Sequence, residues 1–283
     1  RRLVRHFADF VMENLRGILL MVFSMAAFAC EDALIKAASA TLPPGQILMI
    51  IGAVGGTVFA LLAHRRGVPL PLPVFWSRPV LIRTLAEMLG TFCFVSAITT
   101  IALSTASAVL QATPLVITMG AALIFAEPVG WRRWSAITVG FAGVLVIIRP
   151  GMAGFEPNTL WAVLAVVGLA GRDLASRAIP KSVPNLLIST YGVFAMVPTG
   201  ALLLLMSGGA DWPDANSAAL LFGAICFGIL AYYAITTASR LGDVSVITPF
   251  RYSRLIFALM LGILLFGERP DLLTFAGAGL IIG

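Results

Sequence analysis

Charge is scarce in this chain. Of its 283 residues only 11% are Asp, Glu, Lys or Arg, while 59% are apolar, and the mean hydropathy is +0.99. Soluble domains carry about 25% charged and about 45–50% apolar residues, so there is too little polar surface here to cover one core in water. Histidine is limited to His6 and His64, both at the edges of apolar runs, and no HExxH occurs, which leaves no metal cluster. Cys30, Cys93 and Cys226 are odd in number, lie inside apolar runs and show no CxxC spacing. That excludes a disulfide framework and a zinc site. There is no GxSxG, and with only two lysines there is no GxxxxGK[ST] loop to cradle phosphates.

What the chain does have is length in apolar runs. Ten membrane spans need about 200 apolar residues plus short loops, which this length fits with no room for a soluble domain. The runs are 17–38, 44–64, 79–101, 105–126, 132–149, 159–179, 184–206, 216–239, 244–266 and 271–283. Between them lie breaks such as Leu42-Pro43-Pro44-Gly45, Pro69 to Pro73 and Arg149-Pro150-Gly151. Ahead of the first run, Leu3, Phe7, Phe10, Val11 and Leu15 recur at helical spacing, which predicts an amphipathic segment over 3–15 on the membrane surface. It does not read as a signal peptide, because the apolar run after it is too long, carries charges and lacks a clear cleavage site. The chain opens on Arg1 and its last run is still apolar at Gly283, so further residues are expected at either end.

The net charge of +6 would suggest nucleic acid in a soluble protein, but here the basic residues lie between apolar runs. With the N-terminus inside, one face receives thirteen of them: Arg1, Arg2, Arg5, Arg16, Arg65, Arg66, Arg78, Arg83, Arg132, Arg133, Arg177, Lys181 and Arg240. The other face receives Arg149 and Arg269, while Lys36, Arg172, Arg251 and Arg254 fall within spans. The positive-inside rule therefore places both termini in the cytoplasm. Trp76, Trp131, Trp134, Trp161 and Trp212 sit near span edges, as an interfacial belt would.

The chain also repeats itself. Asp32 and Lys36 in CEDALIK match Asp173 and Arg177 in GRDLASR at an offset of 141, and Glu127 matches Glu268 at the same offset. Ala97-Ile98-Thr99-Thr100 recurs as Ala234-Ile235-Thr236-Thr237 at offset 137. Five spans per half is an odd number, so the second copy enters the membrane from the opposite side. The halves are 1–149 and 150–283.

The segments Ala106 to Glu127, Val139 to Ile147 and Ser245 to Pro270 resemble the paired EamA repeats of the drug/metabolite transporter superfamily. Within it the chain is similar to bacterial amino-acid exporters of the YddG type. The resemblance implies an all-α polytopic membrane protein, ten helices in two inverted halves, with spans 1, 3, 4, 6, 8 and 9 around a central cavity. It implies a secondary transporter of the inner membrane that exports amino acids, aromatic ones included, without a cofactor. An exporter of another metabolite or drug class is the alternative.

Ionisable residues at membrane depth are costly, so each is a candidate. Arg251 and Arg254 share a helix face with Tyr252 between them, just after Pro249, which disturbs the helix. An arginine there suits a substrate carboxylate, or else pairs with Glu87, Asp173 or Asp32. Gln111, Pro114 and Thr118 share a face of the fourth span, where Gln111 offers both donor and acceptor. Tyr232 and Tyr233, with Trp161, offer an aromatic wall. Asp32 and Asp173 either carry protons or pair with Lys36 and Arg177 four positions on, and pairing is the favoured reading. Glu127 and Glu268 read as structural, beside Arg132, Arg133 and Arg269. Gly52/Gly56 and Gly168/Gly171 read as close helix packing. An intramembrane enzyme using Asp32, Asp173 or Glu87, or a non-transporting receptor, are the readings from other classes.

Overall fold

The computed structural model describes residues 2–70, 72–152, 155–180, 182–238 and 244–283, without the side chains of 2–11, 72, 236, 244, 245 and 248. Arg1, Lys181, Arg240 and the side chains expected to line one face of segment 3–15 up to Val11 lie outside the described residues. The backbone of that segment is continuous with the first span in one helix, Arg2–Ala38.

Among the described residues there is no strand, and nine helices are long and apolar enough to cross a membrane. They are Met12–Ala38, Pro44–Arg65, Arg78–Thr100, Leu103–Ile124, Trp131–Ile148, Thr159–Arg177, Asn185–Ser207, Ala215–Ile235 and Pro249–Phe266, and the shorter apolar helix Leu272–Ile282 is the tenth span. Their outer faces carry Leu123, Leu205, Phe222 and Leu264, all exposed, as helices with lipid around them require.

Proline divides three of the spans. Pro114 lacks the N–H that would bond Leu110, and the fourth span splits into Leu103–Leu110 and Thr113–Ile124. The Thr113 hydroxyl donates to the Leu110 carbonyl at 2.6 Å in its place. Pro198 splits the seventh span into Asn185–Phe194 and Met196–Ser207 in the same way. Pro249 lies in a 3-10 stretch, Thr248–Tyr252, that precedes the helix Ser253–Phe266.

Small residues hold the two halves together. A Cβ on Gly168 of the sixth span would lie 2.5 Å from the backbone nitrogen of Gly90 in the third, so these helices touch backbone to backbone. Gly45 and Gly200 join the second span to the seventh, and Gly143 and Gly277 join the fifth to the tenth. Gly52 and Gly56 pack against Met196 and Phe194 as their spacing suggests. Van der Waals fit carries this association, since the surrounding lipid is as apolar as leucine.

Candidate functional site

Between the halves lies a cavity of about 490 Å³, within the usual range for a small-molecule site. Its lining comes from spans one to four and six to nine. The second and seventh spans therefore join the six expected: Leu48, Ile51 and Phe59 line it from one, Asn185, Ile188 and Ser189 from the other. Spans five and ten stand aside, packed on each other.

The cavity is asymmetric along the membrane normal. At one end its lining reaches Arg83, Ser176 and Asn185, near the termini of the third, sixth and seventh spans. At the other it stops at Ile35, Leu48 and Leu110, backed by the fully buried Ile47, Ile98 and Leu103.

Most of the charges inside are paired. Arg254 donates to Asp32 at 2.6 Å and lies 5.3 Å from the ring centres of both Phe28 and Phe94. Arg172 binds Asp173 at 2.8 Å and Glu87 at 3.3 Å, and Arg83 binds Glu87 at 2.8 Å. Asp32 and Asp173 are thus ion-paired, but not to the basic residue four positions later. Lys36 instead donates to the carbonyls of Ile98 and Ile101 at 2.7 and 2.5 Å. Those carbonyls end the third span without helical donors, and a cation suits that end of the helix dipole. Arg177 turns to Glu127 at 3.1 Å.

Two lining charges remain. Among the described residues Arg251 and Glu31 make no ion pair within 4.0 Å and no hydrogen bond, and both face the cavity. Gln111, at the break in the fourth span, donates to the Tyr252 carbonyl at 3.0 Å, and these residues are themselves 141 apart. Equivalent positions of the two halves therefore meet where both spans are interrupted. Broken helices meeting at the interface of inverted repeats are the mark of a transporter site.

The profile of the EamA-like transporter family matches residues 15–149 and again 158–283. The chain belongs to that family. Among its relatives, the S-adenosylmethionine uptake transporter of Rickettsia prowazekii is 28% identical over 73% of this chain and 70% of that one. The pseudopaline exporter of Pseudomonas aeruginosa is 28% identical over 94% of this chain and 93% of its own. The riboflavin transporter of Vibrio cholerae is 30% identical over 62% and 58%. A solved crystal structure shares the fold with a TM-score of 0.64, covering 96% of this chain and 94% of its own at 20% identity. The EamA protein is thus a multi-pass membrane transporter of small molecules rather than an enzyme.

Of the residues the sequence singled out, Asp32, Glu87, Gln111, Pro114, Asp173, Tyr232, Arg251, Tyr252 and Arg254 line this transporter's cavity. Pro249, Tyr233, Lys36 and Arg177 do not. Tyr233 stacks near Arg66 at 5.9 Å, and Trp161 packs on Phe92 at 5.8 Å. Thr118 bonds the Pro114 carbonyl at 2.9 Å. The sequence sets Glu31 of CEDALIK against Arg172 of GRDLASR but assigns it no role, since a search for matches between the halves passes over it.

The closed end is stitched across the halves. Glu268, after the ninth span, accepts from the Leu103 and Ser104 amides at 2.6 and 2.9 Å and from the Ser104 hydroxyl at 2.6 Å. It caps the N-terminus of the fourth span, where orphan amides and the dipole favour an anion. At the open end its counterpart Glu127 shares only a half-exposed ion pair with Arg177. Neither glutamate uses the neighbouring arginines 132, 133 or 269 that the sequence offered.

Proposed function

We propose that this transporter exports small metabolites bearing an α-amino-acid group, aromatic amino acids included, across a bacterial inner membrane by alternating access. The observation that carries the reading is Arg251. A guanidinium at membrane depth with no ion-pair partner among the described residues is costly unless an anion arrives to share its charge. A carboxylate fits its planar pair of donors. Tyr232, Tyr252 and Phe59 give the same space aromatic walls for an apolar side chain. The methionine part of the Rickettsia relative's substrate belongs to the same chemical class.

The thirteen-to-two distribution of basic residues supports cytoplasmic termini. On that orientation the open end of the cavity, beside Arg83 and Ser176, loads from the cytoplasm. The two halves then exchange roles, and the end held by Glu268 opens.

Counterflow into proteoliposomes, with a panel of amino acids, S-adenosylmethionine and riboflavin, tests the reading. Amino acids should exchange, and Arg251→Lys should cut their flux at least about tenfold while the protein stays monodisperse. Riboflavin flux without amino-acid flux would overturn the substrate class. Wild-type flux in the lysine variant would remove Arg251 from the site.

A further inference from the structure

We propose that Glu31 is the cation-binding pole of the cavity, taking the ammonium group of a zwitterionic substrate whose carboxylate rests on Arg251. The inference rests on the amino-acid reading above and names a second subsite for it.

Four arginines and four acids line the space: Arg83, Arg172, Arg251 and Arg254 against Glu31, Asp32, Glu87 and Asp173. The ion pairs engage three of the acids and three of the arginines. What is left is one acid on the first span and one base on the ninth. Glu31 is only 9% exposed, and Asp32 beside it is already engaged by Arg254 at 2.6 Å. A largely buried carboxyl group that faces a cavity with no ion-pair partner keeps its proton unless a positive charge arrives to share the site.

Its seat is shaped for one. The carboxylate lies directly against Gly228 of the eighth span, where a Cβ would stand 2.5 Å from Oε1. Phe28, one turn before Glu31, and Tyr232, one turn after Gly228, line the same cavity, and aromatic faces attract ammonium groups. The repeat adds an independent sign. Asp32 and Asp173 keep their charge between the halves, but Glu31 is answered by Arg172. Arg172 is itself engaged by Asp173 and Glu87, so the uncommitted poles of the cavity are Glu31 and Arg251. A zwitterion satisfies both; an anion alone leaves Glu31 unmatched, and a cation alone leaves Arg251 unmatched.

Binding to the purified full chain in detergent, read by displacement of labelled phenylalanine, separates the poles. The probes are phenylalanine, 3-phenylpropionate, which lacks the ammonium, and phenethylamine, which lacks the carboxylate. The wild type should prefer phenylalanine to each by at least about thirtyfold, as removing one partner of a buried charge pair implies. Glu31→Gln should weaken phenylalanine about thirtyfold, leave 3-phenylpropionate equal or tighter and abolish phenethylamine binding. Arg251→Lys should weaken both carboxylates and spare the amine. If the glutamine variant does not fold, Gly228→Ala, which displaces the carboxylate without removing its charge, should lower the phenylalanine preference in the same direction. An unchanged phenylalanine-to-phenylpropionate ratio in the folded variant overturns the inference. If the wild type ignores phenylalanine, the amino-acid reading fails first. Glu31 is then judged by direct titration with phenethylamine, where equal affinity in wild type and Glu31→Gln rejects it.

Discussion

Asp271 is an acid exposed to the surrounding solution. It precedes the tenth span, outside the membrane, and caps it by accepting from the Thr274 amide at 2.9 Å and hydroxyl at 2.8 Å, while Arg149 pairs with its other oxygen. The Arg149 hydrogen bond, then those from Thr274, pull its pKa from 3.8 down to about 2. A depressed folded-state pKa means the contribution is fully present above the unfolded value of 3.8 and is lost as pH falls through about 2. Asp271→Ala should cost about 1 kcal/mol at neutral pH, the usual worth of a side-chain cap. Thermal unfolding in detergent should show a gap to wild type that is constant above about pH 5 and narrows from about pH 4 towards pH 2.

The two membrane arginines should behave differently under the same substitution. Arg254→Ala strands the buried Asp32 and should destabilise by about 3–5 kcal/mol, whereas Arg251→Ala breaks no ion pair and should unfold near the wild-type temperature. Scanning calorimetry on the two variants, or gel filtration after heating, checks this. The sequence showed that both arginines lie at depth; their different roles depend on which acid sits across the bundle, and spacing along one helix does not contain that. Glu31 was visible in the sequence but drew no role, for the opposite reason. A repeat search rewards agreement, and the informative residue was a disagreement.

At the scale of helices, length and hydropathy were enough to place every span to within several residues. Of the three interruptions the sequence reading picks out only the one at Pro249, although proline removes a backbone donor at each of them. Helix partners were half legible. Gly168 stood out through its spacing from Gly171, but Gly90, on which it rests, is an isolated glycine whose meaning comes from the neighbouring helix. Gly168→Ala should therefore cost several kcal/mol or abolish monodisperse expression, since the new methyl meets backbone that has no room to yield. Gly279→Ala, with nothing within 4 Å, is the control and should stabilise its helix by about 0.5–1 kcal/mol. Yield and unfolding temperature of the pair decide the matter.

For the whole molecule, orientation is the claim most open to direct test. A single cysteine replacing Leu70 should resist a membrane-impermeant maleimide in intact cells, while one replacing Asp211 should react. Asp211 is a safe site because Gln46 touches only its backbone, at 2.6 and 2.9 Å. The reverse pattern would invert the topology and with it the side from which the cavity loads. Which end of the cavity is closed was not legible in the sequence. Positive charges report which loops stay inside, but the state in which the halves rest depends on the bonds at each end, and the glutamates that differ there are identical in the repeat.

Glu268 bears on how the protein is made. The amides it caps belong to residues 103 and 104, some 165 positions earlier in the chain. At about 5–20 residues per second, roughly 8–33 s of synthesis separate the donors from their acceptor. Through that interval the fourth span waits in the membrane with its first turn unsatisfied, so the earlier half cannot reach its final shape on its own and is completed by what the ribosome delivers last.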